Sequence, residues 1–429
     1  MKKTKYNLNS YDITDSITLM DTPNRNTAES FVKISRRGRE IQGSPIRKLA
    51  AIAEARKKQG IHVYHLNIGQ PDLPSPLPVL EAVHKFSQKT IEYAPTNGLP
   101  EPLTAWKKYF SHFGILFDES ELIITTGGSE AITLAMCAVC DADDEILVFE
   151  PTYANYNGFA GIANVKLKAI PTTIENGFHL PSEEVIESFV TKKTRAILFC
   201  SPSNPSGTIY SREEIQRLVN VGLKHGLFIL SDETYREFAY EKKTISIADF
   251  PQVQDRAIVL ESCSKKFNVC GVRIGVLASH NKEIVSTTLK FCQARLSVAT
   301  IEQLAMVPLL ENPEPYTRPL VEEFKRRRDL VCSELKTIPG VVSYTPEGAF
   351  YIVVGLPVKD AEHFSLWLIK EYEYERETVL LAPAQGFYVT PGKGENEVRL
   401  AFMLKINDLK RSLIILKNAL EVYQRTFKI

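Results

Sequence analysis

Cysteine is scarce in this sequence, with seven scattered residues in 429. An odd, thinly spread set does not indicate the disulfide framework of a small secreted protein. Cys137 and Cys140 form a lone C-x-x-C in an apolar helical stretch, which favours ordinary helix positions over zinc or redox chemistry. The eight histidines show no ligand spacing such as H-E-x-x-H, so no metal site is predicted.

Features of membrane and nucleic-acid-binding proteins are also missing. No apolar run approaches the roughly eighteen residues of a membrane span, and the N-terminal segment lacks the apolar core of a secretory signal. The formal net charge of +1 gives no global field that would attract nucleic acid. The basic run KRRR at 325–328 is typical of a solvated helix face. These absences predict a cytoplasmic protein that binds neither membranes nor nucleic acid.

The length fits one large domain with a smaller companion. Residues 1–30 are polar with little apolar periodicity, and we expect an arm that is mobile or orders only against a neighbour. One or two short helices are predicted between about 31 and 66. We expect a small α+β domain from residues 31–75 and 311–429, and a large domain from residues 76–310.

Seven short apolar runs in the large domain alternate with helical patterns such as those at 211–224 and 282–295. This alternation predicts a doubly wound, mostly parallel α/β sheet of seven strands with helices on both faces. The predicted strands are 121–125, 145–149, 165–170, 195–200, 227–230, 257–260 and 275–278. The small domain is predicted to contain a helix from about 315 to 335, strands at 341–345, 350–354 and 397–402, and a helix at 361–372.

Polar residues follow four of these runs, at the strand ends where open α/β sheets bind ligands. In TTGGSEA, residues 125–131, Gly128 and Ser129 lie at a predicted helix N-terminus, which favours phosphate binding. A tight turn that needs glycine only for its geometry is the alternative. In SPSNPSG, residues 201–207, two prolines hold Asn204 in a fixed position, and an Asx turn is the alternative.

The third segment, LSDETY at 230–235, ends a strand with a carboxylate. Burying the charged Asp232 there is costly unless a cation pairs with it. Tyr235 can point back into the same space, while a helix N-cap by Asp232 is the alternative.

The fourth segment, ESCSKKFNVCGVRIG at 261–275, places Lys265 just past a buried strand. Partial desolvation and a nearby Arg273 favour a neutral, nucleophilic amine. Ser262, Ser264 and Arg273 together offer donors for a phosphate.

In this order, the four segments resemble the signature of class I/II aminotransferases, the pyridoxal-phosphate enzymes with the fold of aspartate aminotransferase. S-x-S-K…G-x-R-x-G is the most specific part, and N-P-x-G followed by D-E-x-Y adds to it. The resemblance extends from about residue 34 to 420. It implies an enzyme that moves an amino group from an L-amino acid to a 2-oxo acid by a ping-pong, Schiff-base mechanism.

The resemblance also implies roles around the cofactor ring. Lys265 would form the Schiff base with pyridoxal 5′-phosphate and act as the catalytic base. Asp232 would pair with the ring nitrogen, while Asn204 and Tyr235 would hydrogen-bond the ring 3-oxygen. Tyr153 would stack on the ring, with a core aromatic as the alternative.

Phosphate and substrate contacts are implied in the same way. The residues expected to hold the phosphate are Gly128, Ser129, Ser262, Ser264 and Arg273. Arg399 would grip the substrate α-carboxylate bidentately beside Asn204, and the backbone of Gly69 would close over the substrate. Tyr93 would reach the phosphate in the other subunit, which implies a homodimer.

Discrimination among substrates requires a second group that binds the side chain of the substrate. Arg295 and Arg47 are the two candidates for a distal carboxylate, with ordinary salt bridges as the alternative for both. The leading prediction is aspartate with 2-oxoglutarate. Aromatic or broad specificity, and a cysteine-S-conjugate β-lyase, are the alternatives. A transcription regulator is disfavoured because the N-terminal segment is short and shows no helix-turn-helix pattern.

Overall fold

The structure is a computed structural model that describes residues 34–41, 43, 49–70 and 72–428. The arm expected at residues 1–30 and the candidate Arg47 lie outside these residues. The helices of the described residues are α1 (Arg36–Glu40), α2 (Ala50–Lys58), α3 (Leu77–Lys85), α4 (Pro100–Ser111), α5 (Gly127–Val139), α6 (Asn155–Ala163), α7 (Glu183–Ser188), α8 (Arg212–His225), α9 (Cys263–Lys266), α10 (Lys282–Arg295), α11 (Thr300–Glu311), α12 (Glu314–Leu335), α13 (Ala361–Lys370) and α14 (Ile406–Phe427).

The strands form three sheets. They are β1 (His62–His65), β2 (Leu122–Thr125), β3 (Glu145–Glu150), β4 (Lys166–Pro171), β5 (Thr194–Cys200), β6 (Phe228–Asp232), β7 (Ala257–Ser262), β8 (Gly275–Ala278), β9 (Val342–Ser343), β10 (Tyr351–Gly355), β11 (Glu377–Leu380), β12 (Ala382–Pro383) and β13 (Glu397–Ala401). The large sheet has the order β2-β8-β7-β6-β5-β3-β4. Strand β8 runs antiparallel to β7 and β2, and the remaining pairs are parallel. The predicted seven-stranded α/β sheet is confirmed.

Helices cover both faces of the large sheet because its central strands are apolar on both sides. Ile197 and Ile229 pack in a core cluster with residues of α4, α8 and α11. Their neighbours Leu198 and Leu230 pack on the opposite face, with residues of α5, α6 and α10. Side chains of a strand alternate between faces, so a continuous apolar run supplies two cores.

The register of the central strands places the polar segments side by side. Cys200 at the end of β5 is opposite Asp232 at the end of β6, and Asp232 is in turn opposite Leu260 of β7. Ser262, which ends β7, pairs with Gly275 of β8. The loops that follow β5, β6 and β7 therefore meet at one edge of the sheet.

Two smaller sheets are built from the outer parts of the chain. Strands β12-β13-β10-β9 form an antiparallel sheet, and β1 pairs in parallel with β11. The one or two short helices predicted between about 31 and 66 are found as α1 and α2. The strand His62–His65 was not predicted, because its partner lies more than 300 residues further along. The domain boundaries themselves stay a prediction.

The basic run at 325–328 is not simply a solvated face. Arg327 and Arg328 of α12 are 1% and 4% exposed. Arg327 pairs with Asp72 at 2.8 Å and Glu323 at 2.9 Å, and Arg328 pairs with Glu241 at 2.6 Å. Half of the run is buried in ion pairs, which the charge pattern did not indicate. No helix of the described residues is long and apolar enough to cross a membrane.

Candidate active site

Lys265 lies on α9, a single helical turn that begins directly after β7. The hydroxyl of Ser262 caps this turn by accepting from the Ser264 N–H at 3.2 Å. Nζ of Lys265 donates to the carbonyl oxygen of Gly69 at 2.8 Å and lies 3.7 Å from Sγ of Cys270. The lysine side chain therefore reaches across the sheet edge to the segment that was expected to close over a substrate.

Asp232 is a buried carboxylate at the end of β6. Its Oδ2 accepts from the Tyr156 hydroxyl at 2.7 Å, and its Oδ1 accepts from the hydroxyl of Thr234 at 2.7 Å and its N–H at 3.2 Å. Burial raises the pKa of the Asp232 carboxyl, and these donors offset part of the rise. No basic side chain of the described residues forms an ion pair with it. The site thus has a place for a cationic group.

The glycine turn before α5 packs against the Lys265 segment. Gly127 has a φ of +73°, and a Cβ there would lie 2.5 Å from Nη2 of Arg273. A Cβ on Gly128 would lie 3.5 Å from Cβ of Ser262. Nη1 of Arg273 donates to the Ser264 hydroxyl at 3.3 Å. The arginine and both serines therefore surround the N-terminus of α5, where free N–H groups favour an anion.

Ser129 occupies the first turn of α5, and its side chain is half-buried. The Ser262 hydroxyl donates to the Ser264 hydroxyl at 3.0 Å. These hydroxyls and the exposed Arg273 guanidinium form a polar edge to the turn.

Arg399 of β13 is 1% exposed and faces the same edge. Its Nη1 donates to Oδ1 of Asn204 at 3.1 Å, and its Nη2 donates to the carbonyl oxygen of Asn67 at 2.5 Å. The guanidinium lies 4.4 Å from the ring centroid of Tyr351 and 4.8 Å from that of Phe387. Nε has no hydrogen-bond partner among the described residues, and burial lowers the pKa of the guanidinium. A buried cation with a free donor suits a carboxylate ligand.

Aromatic side chains fill the space between these polar groups. The Tyr235 and Tyr351 hydroxyls are 3.1 Å apart, and a Cβ on Gly69 would overlap the Tyr351 hydroxyl. The Tyr153 ring makes an edge contact with Tyr156, with centroids 5.4 Å apart. Burial raises the pKa of Tyr235 and Tyr153, so both hydroxyls stay protonated donors.

The residues of the site that the sequence reasoning missed include Asn67, Tyr156, Tyr351 and Phe387. Tyr156 lies in the first turn of α6, just after the segment that holds Tyr153, and its ring contacts that of Tyr153. Asn67 and Tyr351 reach the site only through tertiary packing.

Two predicted residues lie apart from this cluster within the subunit. Nε of Arg295 donates to Glu130 at 3.0 Å, and its other nitrogens donate to the carbonyl oxygens of Ile124 at 2.9 Å and Thr96 at 3.2 Å. Arg295 thus ties the end of α10 to the back of the glycine turn. Tyr93 is 81% exposed and makes no hydrogen bond or ring contact with a site residue among the described residues.

One edge of the α/β sheet thus brings together a lysine at the end of a buried strand, an aspartate without an ion pair among the described residues, a glycine turn at a helix N-terminus and a buried arginine. The sequence model described as aminotransferase class I and II matches residues 61–411. The chain belongs to this family, whose members use pyridoxal 5′-phosphate, and it is a transaminase. The resemblance found in the sequence is confirmed.

Individual relatives agree with this assignment. The chain is 32% identical over 396 residues to a probable aspartate aminotransferase of Methanocaldococcus jannaschii, covering 90% of this chain and all of the relative. The solved aspartate aminotransferase of Thermotoga maritima superposes with a TM-score of 0.83 at 30% identity, over 90% of this chain and all of that one. An alanine aminotransferase from Pyrococcus furiosus gives a TM-score of 0.84 at 27% identity, over 91% and 100%.

Proposed function

We propose that this transaminase binds pyridoxal 5′-phosphate at the edge formed by β5, β6 and β7, with Lys265 as its covalent attachment point. The observation that supports this proposal most directly is the burial of Asp232, whose carboxylate forms no ion pair with a basic side chain of the described residues. The protonated ring nitrogen of the cofactor is the cation that would pair with it. The cradle at Gly127 and Gly128, with Arg273 over it, fits the phosphate.

The remaining polar groups have matching tasks. When bound, pyridoxal phosphate supplies an electron sink that stabilises negative charge at the substrate α-carbon. The Lys265 amine takes up the α-proton of the substrate and returns a proton during transfer. Asn204 and Tyr235 would donate to an oxygen on the ring. Asp232 would hold a proton on the ring nitrogen, because its buried carboxylate has hydrogen-bond donors but no ion pair among the described residues.

Arg399 binds the α-carboxylate that all amino and 2-oxo acid substrates share. Its Nε is free, and its Nη atoms exchange neutral partners for a charged one when the substrate enters. The flanking Tyr351 and Phe387 rings exclude water from the guanidinium, which strengthens the charge-assisted pair.

The leading substrate pair is aspartate with 2-oxoglutarate. The support is that several relatives are aspartate aminotransferases by name, among them those of Methanocaldococcus jannaschii and Thermotoga maritima. Arg295 has its donors engaged within the subunit, so the geometry gives it no free face for a distal carboxylate. The side chain that would bind the distal carboxylate of an acidic substrate is therefore not assigned among the described residues.

We also propose a homodimer in which Tyr93 reaches the partner's phosphate site. Exposed apolar side chains between residues 77 and 93 support it: Leu77 is 63%, Leu80 50%, Ile91 62% and Tyr93 81% exposed. Large exposed apolar side chains favour burial against another surface. Sedimentation velocity of the loaded protein tests this, with a monomer at micromolar concentration as the contrary result.

A half-reaction survey tests the function. The protein loaded with pyridoxal phosphate is mixed with each of the twenty amino acids, and the change of cofactor absorbance is followed without acceptor. We expect aspartate and glutamate to convert the spectrum fastest, and 2-oxoglutarate to restore it. Pyruvate and ammonia released from cystathionine without an acceptor would instead indicate a β-lyase.

A further inference from the structure

Three residues of the site have a charged neighbour in sequence that is buried away from the site. Glu261 and Ser262 are consecutive in β7, so their side chains point to opposite faces of the sheet. Lys265 and Lys266 are consecutive on α9, where successive side chains are about 100° apart, and Glu233 follows the last residue of β6. The pairs are Asp232 with Glu233, Ser262 with Glu261, and Lys265 with Lys266. Glu233 is 2% exposed, and Glu261 and Lys266 are fully buried. The amino-transfer chemistry described above uses none of these three neighbours.

Lys266 occupies the centre of this buried cluster. Its Nζ lies 2.6 Å from Oε2 of Glu261 and 3.1 Å from Oε1 of Glu237. It also donates to the Tyr109 hydroxyl and lies 4.0 Å from the centroid of that ring. The ammonium therefore joins α9 to β7, to the turn after β6 and to α4. Lys266 points away from the site, which leaves Lys265 as the lysine that reaches Gly69.

The other charges complete the cluster. Arg236 pairs with Glu233, and its Nε lies 3.5 Å from Oε2 of Glu261. The Tyr109 hydroxyl also contacts Glu237, and it lies 2.9 Å from Oε2 of Glu261. Buried charges of this kind persist only when they are paired, because an unpaired one bears the full desolvation penalty. The cluster thus anchors α9, the turn that carries Lys265, to β7, to α4 and to the turn after β6.

The helix that carries Lys265 needs such an anchor. Helix α9 has four residues, and one helical turn is not stable on its own because its nucleation is unfavourable. The Ser262 cap holds its first end. At its other end, the Lys266 ammonium is the group that fixes the turn to the sheet through Glu261.

We propose that Lys266 is a positioning residue for Lys265, which holds the ε-amine in place through the ion pair of Lys266 with Glu261. This inference rests on the proposed function, since the amine it positions is the proposed attachment point. A displacement of about 1 Å at a reacting group lowers the rate by about a hundredfold. The ion pair therefore acts on the chemical step and leaves substrate binding by Arg399 unchanged.

Three variants separate positioning from folding: Lys266→Met, Glu261→Gln and the double variant. Lys266→Met alone leaves Glu261 only its longer, 3.5 Å contact with Arg236, and loss of stability is expected. The double variant also removes the charge of Glu261, while Glu237 loses its ion pair with Lys266 and keeps its contact with the Tyr109 hydroxyl. We expect the double variant to regain part of the melting temperature that Lys266→Met loses. If Lys266→Met does not fold, Glu261→Gln and the double variant still decide the matter.

The decisive readouts are taken on the folded double variant loaded with pyridoxal phosphate. We expect kcat to be reduced by about tenfold or more, with KM for the amino donor within about threefold of wild type. The visible circular dichroism of the bound cofactor, relative to its absorbance, is expected to fall because the cofactor is held less rigidly. A purely structural Lys266 would instead recover kcat and visible circular dichroism together with melting temperature, and that recovery would overturn the proposal.

An ion pair outside the site provides the control. Arg328 of α12 is buried and pairs at 2.6 Å with Glu241, whose side chain is half-exposed. The double variant Arg328→Met and Glu241→Gln is expected to leave the visible circular dichroism per absorbance unchanged. Borohydride labelling of the wild type is done first. Absence of label on Lys265 would refute the proposed function, whereas label there with a normal Lys266 double variant would refute this inference alone.

Discussion

Oδ1 of Asn204 accepts a 3.1 Å hydrogen bond from Nη1 of Arg399, although the two residues are 195 apart in the chain. Asn204 follows β5 of the large sheet, and Arg399 lies on β13 of the four-stranded sheet. This bond therefore joins the residue proposed to contact the cofactor ring to the residue proposed to bind the substrate carboxylate. Substrate and cofactor groups meet at the junction of the two sheets.

Arg399→Ala tests the proposed carboxylate site. We expect kcat/KM to fall by about a hundredfold to a thousandfold for every amino acid alike, because a charge-assisted, buried pair is lost. Steady-state rates with aspartate, alanine and phenylalanine provide the measurement. Arg411→Ala is the control, since that arginine pairs with Glu375 and Glu377 away from the site. A loss confined to acidic substrates would argue against the assignment.

Tyr156→Phe tests the environment of Asp232. The tyrosine donates at 2.7 Å to a carboxylate whose pKa burial already raises. Loss of that donor destabilises the ionised form, so the pKa of Asp232 rises further. Because ionised Asp232 is needed, the acid limb of the kcat/KM profile is expected to move to higher pH.

Tyr423→Phe is the matched control for that experiment, since its hydroxyl contacts His363 at 2.6 Å outside the site. The pH profile of the control is expected to overlie that of wild type. An unmoved acid limb in Tyr156→Phe would mean that Asp232 does not govern the reaction as proposed.

Gly69→Ala tests the segment that Lys265 contacts. An added Cβ would overlap the Tyr351 hydroxyl, so the segment or the ring must move, at about 1–3 kcal/mol of stability. We expect kcat/KM to fall by about tenfold or more. Gly158→Ala, in α6 where a Cβ meets nothing within 4 Å, should keep wild-type activity. Full activity of Gly69→Ala would show that this close approach is dispensable.

Arg295→Ala distinguishes a structural role of Arg295 from a role in binding the side chain of the substrate. The variant loses an ion pair to Glu130 and bonds to the carbonyl oxygens of Ile124 and Thr96. We expect a lower melting temperature and similar slowing of alanine and aspartate, within about threefold of each other. A loss more than about tenfold greater for aspartate would instead support a distal-carboxylate role. Arg47→Ala, measured beside it, tests the other candidate.

The large sheet was predictable because its central strands are buried on both faces. Such strands appear in the sequence as continuous apolar runs. The predicted strand Gly275–Ala278, for example, has the same bounds in the structure. The short strand His62–His65 carries no comparable run, and its pairing with β11 depends on packing between distant segments. Burial of Arg327 is invisible in sequence for the same reason, since Asp72 meets it across 255 positions.

The site was predictable where its residues follow strand ends in continuous motifs. Lys265, Asp232 and Asn204 are brought to one edge because parallel strands end at the same side. The Tyr351 hydroxyl contacts that of Tyr235, although the two residues are 116 positions apart in the chain. No local sequence pattern predicts such a contact. The sequence therefore indicates the groups nearest the chemistry and misses those that support them from other elements.

Covalent trapping at Lys265 is the most direct test of the account. The protein is loaded with pyridoxal phosphate, reduced with borohydride, digested and mapped by mass spectrometry. We predict a single labelled peptide with the phosphopyridoxyl group on Lys265, and none on its buried neighbour Lys266. Label on any other lysine, or a protein that stays colourless and unlabelled after loading, would contradict the account.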